Sequence, residues 1–211
     1  MEVSVEASRY LENGEVLHRN ERGAGLLILM DGGVAVKLFP SKGRVATTLR
    51  GLIGQSKAHK QWRAAQKILN IGLRTPKPIG VEVMKADGEY ESAFLYEYLE
   101  KAESLRERLF HCEGAEKEGF LRRMAGELVT MAKAGVLFID FHLGNVLVDD
   151  EGELWWIDPE VKVSHGVVRK KFWSRIERMY AKCDGDVLSE EDFTFLKARL
   201  VEGLREAGMS F

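Results

Sequence analysis

Polar side chains interrupt an apolar stretch of the chain, VLFIDFHLGNVLVDDEGELWWIDPE, at residues 136–160. Asp140 and, five positions later, Asn145 lie in a loop between the apolar runs VLFI and NVLV, and Asp158 ends the hairpin that follows. A carboxylate beside a hydroxyl group can accept its proton. Amide and carboxylate oxygens are hard ligands of the kind that Mg²⁺ takes. The stretch therefore offers a general base and a metal site on one loop and one hairpin.

This spacing is typical of phosphoryl-transfer enzymes of the protein-kinase type. Asp140 would orient an acceptor hydroxyl and take its proton, while Asn145 and Asp158 would bind the Mg²⁺ that neutralises a triphosphate. Taken singly, each residue has a structural explanation, as a turn cap, a left-handed position or a strand end. The three together favour catalysis. For His142, in the same loop, two interpretations stay open: contact with the transferring phosphate, or packing and hydrogen bonding within the loop.

The upstream half contains candidate nucleotide-binding residues. Lys37 lies in the predicted strand VAVKLF, where it would reach the nucleotide phosphates or face solvent. Gly23 and Gly25, in NERGAGLL, would form a loop over the phosphates or an ordinary hairpin turn. The backbone at Glu97 and Leu99, in LYEYLE, would hydrogen-bond an adenine. The predicted cofactors are ATP and Mg²⁺.

The elements that would position these residues are strands first and helices later. Strand patterns flank a turn at residues 31–33, and VEVM and SAFLYEYLE, running to Glu100, complete a mostly antiparallel sheet of about five strands. One helix, from Ser56 and closed by Gly72, is inserted after the third strand. Further helices are predicted at residues 104–110, 116–134, 167–181 and from Ser189, where Asp192 suits a capping box. The pattern predicts an α+β, small bilobal fold, with an N-terminal antiparallel sheet and one helix, and a mostly helical C-terminal lobe.

The two predicted lobes form one kinase-like domain. Residues 1–97 would be the nucleotide-binding lobe and residues 98–211 the catalytic and substrate lobe. A chain of 211 residues with 45% hydrophobic content can bury the core that this requires.

Composition narrows the partners and the location. The net charge of -2 argues against a general nucleic-acid binder, so no nucleic-acid partner is predicted. The opening MEVSVEASRY has no signal-peptide pattern, and the early apolar run GLLILM is far shorter than the about 20 residues that cross a bilayer. Cys112 and Cys183 fit no metal-ligand spacing, which favours free thiols in a reducing cytoplasm.

One segment is strongly basic, although the net charge of the whole chain is close to zero. Between Gly32 and Val81 there is no acidic residue. The basic residues there are Lys37, Lys42, Arg44, Arg50, Lys57, Lys60, Arg63, Lys67, Arg74 and Lys77. A solvated helix surface and a docking face for an anionic partner, such as a phosphorylated lipid or an anionic membrane surface, both stay open.

From about Leu26 onward the sequence resembles the lipopolysaccharide kinases, the Kdo and heptose kinases with a small protein-kinase-like fold. Three passages support the resemblance: VKLF; SKAHKQWRAAQKILNIGLRTPKPIG, which is similar to that family's basic helix and G-x-x-T-P-x-P turn; and DFHLGNVLVD followed by WWID. The last is shared with aminoglycoside phosphotransferases and choline kinases, so it indicates only the superfamily. The middle passage, with a short C-terminal lobe, selects the lipopolysaccharide branch.

The resemblance implies a role for each residue and a substrate. Asp140 would be the catalytic base, Asn145 and Asp158 the Mg²⁺ ligands, and Lys37 the nucleotide lysine. The acceptor would be a sugar hydroxyl, on Kdo or heptose, in the inner core of the lipid A glycolipid. The protein would then be cytoplasmic, with peripheral binding at the inner face of the inner membrane, and its basic segment at residues 37–77 would hold the anionic glycolipid.

The sequence also departs from the kinase pattern. Phe138 stands where kinases usually have His, and Asp-Pro-Glu at residues 158–160 replaces the familiar DFG. Gln61 occupies the place of the helix Glu that pairs with the nucleotide lysine, so Lys37 would be held by a neutral hydrogen bond or by Asp158. Two other functions therefore stay open: a kinase of another small molecule or of protein, and a pseudokinase that binds nucleotide or membrane without catalysis.

Overall fold

The computed structural model of the protein describes residues 7–19, 25–41, 54–84 and 89–209. They divide into two compact units. The first contains the described residues up to Lys67 and those from Pro76 to Glu100, and the second contains residues 68–75 and those from Lys101 onward. Within the described ranges, none of the helices combines the length and the apolar character that a bilayer crossing requires.

The first unit is built on a five-stranded sheet, as predicted. The strands are β1 (Gly14–Arg19), β2 (Leu26–Met30), β3 (Val34–Pro40), β4 (Pro78–Val83) and β5 (Tyr90–Glu97). Their order is β1-β2-β3-β5-β4, and every neighbouring pair is antiparallel. Gly32 and Gly33, with φ of 80° and 73°, form the turn between β2 and β3, because glycine adopts the left-handed region without a steric penalty.

The prediction that β5 continues to Glu100 is wrong. β3 begins at Val34, and the last bond across this pair is the one from the Tyr98 N–H to the Gly33 carbonyl, at 2.8 Å. Beyond that point β3 offers no strand to pair with, so the chain leaves the sheet after Glu97.

Helices cover both faces of this sheet. The helices are α1 (Ser8–Asn13) and α2 (Lys57–Asn70). Tyr10 of α1 packs in one cluster with Val36 and Leu38, whereas Ala58 and Ala65 of α2 pack with Phe39 and Phe94 on the other face. The predicted end of α2 is confirmed at Gly72, which has a φ of 81°, and the Leu73 N–H closes the helix by donating to the Ile68 carbonyl.

The second unit is mostly helical, as predicted. Its helices are α3 (Leu105–His111), α4 (Gly114–Lys133), α5 (His165–Tyr180) and α6 (Glu190–Glu206). Its short strands are β6 (Ala102–Ser104), β7 (Val136–Phe138), β8 (Val146–Asp149), β9 (Leu154–Trp156) and β10 (Val161–Val163). They form a three-stranded sheet in the order β6-β8-β9 and a separate pair, β10-β7.

The core of the second unit lies between its helices and these strands. The buried residues come from the apolar stripes of α4, α5 and α6 and include Leu121, Met124, Leu128, Phe172, Ile176, Leu196 and Leu200. Trp156 is fully buried, and its indole N–H donates to the Glu127 carboxylate. The predicted capping box at the start of α6 is confirmed: Ser189 and Asp192 exchange side-chain and backbone hydrogen bonds.

Candidate active site

Two strand pairs fix the ends of the loop that contains Asp140. All three residues of β7 are buried, and Phe138 lies opposite Val161 of β10. The Ile139 N–H donates to the Glu160 carbonyl at 2.7 Å, which extends the pairing to the residue before Asp140. The base candidate therefore stands at the end of a buried, hydrogen-bonded strand.

Phe138, the first departure from the kinase pattern, has a structural role here. It is 2% exposed, and its ring centroid lies 5.3 Å from that of Trp156. An aromatic core residue at this position removes no group that phosphoryl transfer requires.

Asn145 connects the loop to the hairpin. It ends a short 3-10 turn (Leu143–Asn145), is 8% exposed, and donates its side-chain Nδ2 to the Asp140 carbonyl at 2.9 Å. Its own carbonyl accepts the Ile157 N–H at 3.0 Å, so Asp158 follows a residue that is bonded directly to Asn145. The three predicted residues Asp140, Asn145 and Asp158 thus belong to one hydrogen-bonded backbone assembly within the second unit.

Asp158 has an unusual backbone. Among the described residues it is the only non-glycine residue with a positive φ, 50°. L-residues other than Asn and Asp rarely adopt this region, and a following proline, here Pro159, further restricts the residue before it. Such local strain is typical of functional sites.

Asp140 has a charged neighbour that the sequence did not suggest. Its side chain is 55% exposed, and Lys182 Nζ lies 3.9 Å from its Oδ1. Lys182 comes from the connection between α5 and α6, far along the chain, so no local spacing could have indicated it. His142 Nε2 lies 4.0 Å from Asp140 Oδ2, which is longer than a hydrogen bond.

The surroundings of His142 favour its neutral form. Burial is the largest cause that lowers the pKa of His142, and the nearby Lys182 ammonium lowers it further, while Asp140 and Asp158 act in the opposite direction. The pKa therefore lies below the usual value for histidine, about 6.5. At pH 7 the ring is an imidazole that can donate one hydrogen bond and accept another.

Two side chains of this assembly fit Mg²⁺. Because the Nδ2 of Asn145 is donated to the Asp140 carbonyl, its oxygen is the group that can face a cation. Mg²⁺ is commonly bound by one or two protein oxygens together with phosphates and water. Within the described ranges, there is no cluster of three or more His, Cys, Asp or Glu residues that could bind a metal ion. The donor set of Asn145 and Asp158 therefore suits an ion shared with a nucleotide.

In the first unit, Lys37 lies on the face of the sheet that α2 covers. It is half-buried, stands opposite Phe94 across β3 and β5, and has its Nζ 5.7 Å from the Phe39 ring centroid. On the stripe of α2 that contains Ala58 and Ala65, Gln61 has a buried Oε1 for which the described part of the chain offers no hydrogen-bond partner.

The remaining nucleotide candidates have different surroundings. A Cβ at Gly25 would lie 3.3 Å from the Leu38 carbonyl oxygen, so the backbones approach closely there. Gly23 lies outside the described residues. The Glu97 N–H donates to the Lys77 carbonyl at 3.0 Å, so only the Glu97 carbonyl remains for an adenine. Leu99 lies just beyond the end of β5.

Comparison with known proteins identifies the family to which the chain is similar. Residues 41–197 match the model of the lipopolysaccharide kinase (Kdo/WaaP) family. A 3-deoxy-D-manno-octulosonic acid kinase from Vibrio parahaemolyticus is 28% identical over 130 residues, or 61% of this chain and 54% of that protein. The chain thus spans about half the length of the curated relative that it matches.

Solved structures share the fold. The structure of WaaP in complex with acyl carrier protein matches with a TM-score of 0.63 and 18% identity, over 93% of this chain and 84% of that chain. The bifunctional kinase-methyltransferase WbdD matches with a TM-score of 0.50 and 15% identity, over 86% of this chain and 42% of that chain. The predicted α+β, protein-kinase-like fold is confirmed. Since the family model covers most of the sequence, including Asp140, Asn145 and Asp158, the chain belongs to the lipopolysaccharide kinase (Kdo/WaaP) family.

Proposed function

We propose that the protein transfers the γ-phosphoryl group of ATP to a sugar hydroxyl, on Kdo or heptose, of the lipopolysaccharide inner core. One observation is central. The Asn145 side chain donates a hydrogen bond to the Asp140 carbonyl, and the Asn145 carbonyl accepts one from Ile157, the residue before Asp158. Family membership and the related 3-deoxy-D-manno-octulosonic acid kinase support this substrate class.

In the proposed step, Asp140 accepts the proton of the acceptor hydroxyl. The hydroxyl oxygen forms a bond to the γ-phosphorus while the bond from phosphorus to the bridging oxygen breaks, and ADP leaves with the electron pair. Lys182, 3.9 Å from Asp140, places a positive charge beside this carboxylate. His142, as a neutral imidazole, is the group that could donate a hydrogen bond to the transferring phosphate.

Asn145 and Asp158 are the proposed ligands of Mg²⁺. When bound, the ion would neutralise charge on the triphosphate. The Asn145 amide is fixed by its hydrogen bond to the Asp140 carbonyl, which would orient its oxygen before the nucleotide arrives.

We assign nucleotide binding to the first unit and catalysis with acceptor binding to the second. Lys37 would hold the nucleotide phosphates, Gly25 would let the loop backbone approach them, and Glu97 and Leu99 would contact the adenine through backbone groups. Gln61 would orient Lys37 through its amide oxygen, because that oxygen is buried on the helix stripe covering the Lys37 face of the sheet.

An anionic membrane surface is the proposed partner of the basic face of α2. Lys60, Arg63 and Lys67 recur at helical spacing, on the side of α2 away from Ala58 and Ala65. Two other basic residues of the acid-free segment are paired: Arg74 with Glu153 and Lys77 with Glu97. The basic residues on this face of α2 would attract anionic lipid.

The test is transfer of labelled γ-phosphate from Mg-ATP to a lipid extract of a Gram-negative envelope. We expect label in the glycolipid fraction with the parent protein and none with Asp140→Ala. Asp150→Ala, which removes an exposed acid from the turn between β8 and β9, is the matched control and should transfer normally. Label on an acceptor other than glycolipid would indicate a different kinase, and tight ATP binding without any turnover would indicate a pseudokinase.

A further inference from the structure

An open cavity of about 550 Å³ lies beside the proposed catalytic loop in the second unit. Gly144, between His142 and Asn145 in the 3-10 turn, forms part of its wall. Asp184 forms another part, two residues after Lys182, whose ammonium faces Asp140. The cavity therefore lies next to two segments that contact the proposed base.

The size and lining of this cavity suit a small polar ligand. Its volume falls within the about 300–1,000 Å³ of typical small-molecule sites. The charged and aromatic side chains of the lining are three carboxylates, one guanidinium and two rings: Glu107, Asp184, Asp186, Arg106, Phe110 and His111. Carboxylates accept hydrogen bonds from hydroxyl groups, and a guanidinium binds a carboxylate or phosphate through paired donors. The carboxylates thus offer acceptors for the hydroxyl groups of a sugar, and the Arg106 guanidinium offers donors for an acidic group on it.

Phe110 supplies an apolar surface that the fold does not bury. The residue is 55% exposed, whereas its neighbours Leu105 and Leu109 on the same short helix are fully buried. The His111 ring meets the Phe110 ring edge to face, with centroids 5.1 Å apart. An aromatic ring held at the wall of a polar cavity offers a packing surface for the CH-rich face of a sugar ring.

Arg106 spans the cavity from α3 to the segment after α5. Its guanidinium forms an ion pair with the Asp184 carboxylate, and both side chains are more than half exposed, at 52% and 68%. A pair this exposed contributes little to stability, so the guanidinium can exchange Asp184 for an anionic ligand at small cost.

We propose that this cavity binds the acceptor as an acidic sugar, with Arg106 on its anionic group and Phe110 against its ring. The inference rests on the proposed function, because it places the acceptor of that reaction. Glu107 and Asp186 would accept hydrogen bonds from the sugar hydroxyls. One hydroxyl would then lie at the Gly144 wall, on the side of the cavity formed by the proposed catalytic loop.

The first measurement is binding without transfer. Chemical-shift titration of the parent protein with 3-deoxy-D-manno-octulosonic acid, and with its methyl ester as the uncharged analogue, should show preferential binding of the acid. We expect Arg106→Gln to remove this preference and to weaken binding of the acid about tenfold, as for the loss of one hydrogen bond to a charged group. Phe110→Ala should weaken binding of the acid and binding of the ester equally. Equal binding of acid and ester by the parent would overturn the proposal.

The second measurement is steady-state transfer to the glycolipid acceptor. Arg106→Gln and Phe110→Ala should each raise the KM for the acceptor about tenfold while the KM for ATP stays unchanged. Arg205→Gln and Val201→Ala, which truncate an exposed arginine and an exposed valine of α6, are the matched controls and should keep parent constants. If the parent protein transfers phosphate and both cavity variants keep the parent KM for the acceptor, this site is refuted while the proposed function stands. Parent protein that binds the acid but transfers no phosphate would refute the proposed function and leave the site standing.

Discussion

The two carboxylate oxygens of Asp140 have different neighbours, Lys182 beside Oδ1 and His142 beside Oδ2. A cation near the imidazole disfavours a second positive charge on that ring. Lys182 thus favours the neutral form of His142.

Replacing Lys182 should therefore change the titration of His142. Lys182→Gln removes a positive charge that lowers the pKa of His142, so we expect that pKa to rise. Burial would still lower it, while Asp140 and Asp158 would raise it without opposition from Lys182. NMR titration of the histidine Cε1 protons in the metal-free protein measures this, with His142→Gln identifying the resonance. Lys170→Gln, on the exposed side of α5, should leave the titration unchanged, and an unchanged His142 in Lys182→Gln would contradict the assignment.

Gln61 is a positioning residue in our proposal, since its buried amide oxygen would orient Lys37. Gln61→Ala should lower kcat about tenfold, the effect of losing the one hydrogen bond that we propose forms between Gln61 Oε1 and the Lys37 ammonium when nucleotide is bound. Gln61→Glu should restore it, because a carboxylate is a stronger acceptor for an ammonium group. Gln66→Ala on the same helix is the control. If Gln61→Glu were as impaired as Gln61→Ala, a purely structural role would be indicated.

At the residue scale, spacing alone was enough to single out Asp140, Asn145 and Asp158, because all three belong to one loop and hairpin. It could not indicate Lys182, whose position depends on how the end of α5 packs. Their catalytic roles stay predictions until activity is measured.

At the scale of elements, a single turn sets the entry to the catalytic loop. Gly135 joins α4 to β7 with a φ of 68°, and its carbonyl accepts the Ser164 N–H at 2.7 Å. A Cβ at this position would lie 2.8 Å from the His165 ring. Both the backbone and the space therefore require glycine.

Gly135→Ala should destabilise the protein by about 1–3 kcal/mol, from left-handed strain and the clash with His165. Gly119→Ala is the matched control, since that helical glycine has ordinary φ and nothing within 4 Å of its Cβ position. It should stabilise the protein by about 0.5–1 kcal/mol. Thermal unfolding followed by circular dichroism measures both, and equal shifts in the two variants would refute the argument.

Local patterns predicted most of the elements, and long-range pairings explain the rest. The β2–β3 hairpin and α2 have their turn and stop signals within the sequence itself, at Gly32 and Gly72. By contrast, β6 pairs with β8, and β10 with β7, across long stretches of intervening chain. The apolar runs of residues 136–160 predict β7 and the β8–β9 hairpin, whereas β6 and β10 have three residues each, show no periodicity and become evident only through their pairing. The six-residue helix α1 is likewise too short for a helical pattern.

Across the whole molecule, charge is segregated rather than balanced. The chain has a net charge of -2, yet its fifty residues 32–81 contain no Asp or Glu. Within α2 the exposed residues Lys60 and Arg63, with the half-buried Lys67, concentrate this charge on one helical face. Electrostatic attraction of this kind acts over about 8–10 Å at physiological salt.

Neutralising this face should weaken membrane binding. The triple variant Lys60→Gln, Arg63→Gln, Lys67→Gln removes three charges, each worth about 1 kcal/mol near an anionic bilayer, so affinity should fall about a hundredfold. Sedimentation with phosphatidylserine vesicles measures this, and the difference should shrink at high salt. The control removes three charges from α5, by Lys170→Gln, Lys171→Gln and Arg178→Gln. Parent protein that does not sediment with vesicles would end the membrane proposal.

At Asp158, the positive φ lowers thermal stability, while the side chain is needed for the proposed activity. Glycine would adopt the same backbone without the steric penalty of a Cβ atom, of the order of 1 kcal/mol, but it would not supply the carboxylate proposed to bind Mg²⁺. A laboratory evolution experiment that selects only for survival on heating would therefore enrich glycine at this position and remove the proposed metal ligand. A variant designed for higher stability should therefore keep Asp158 and carry its stabilising substitutions at other positions.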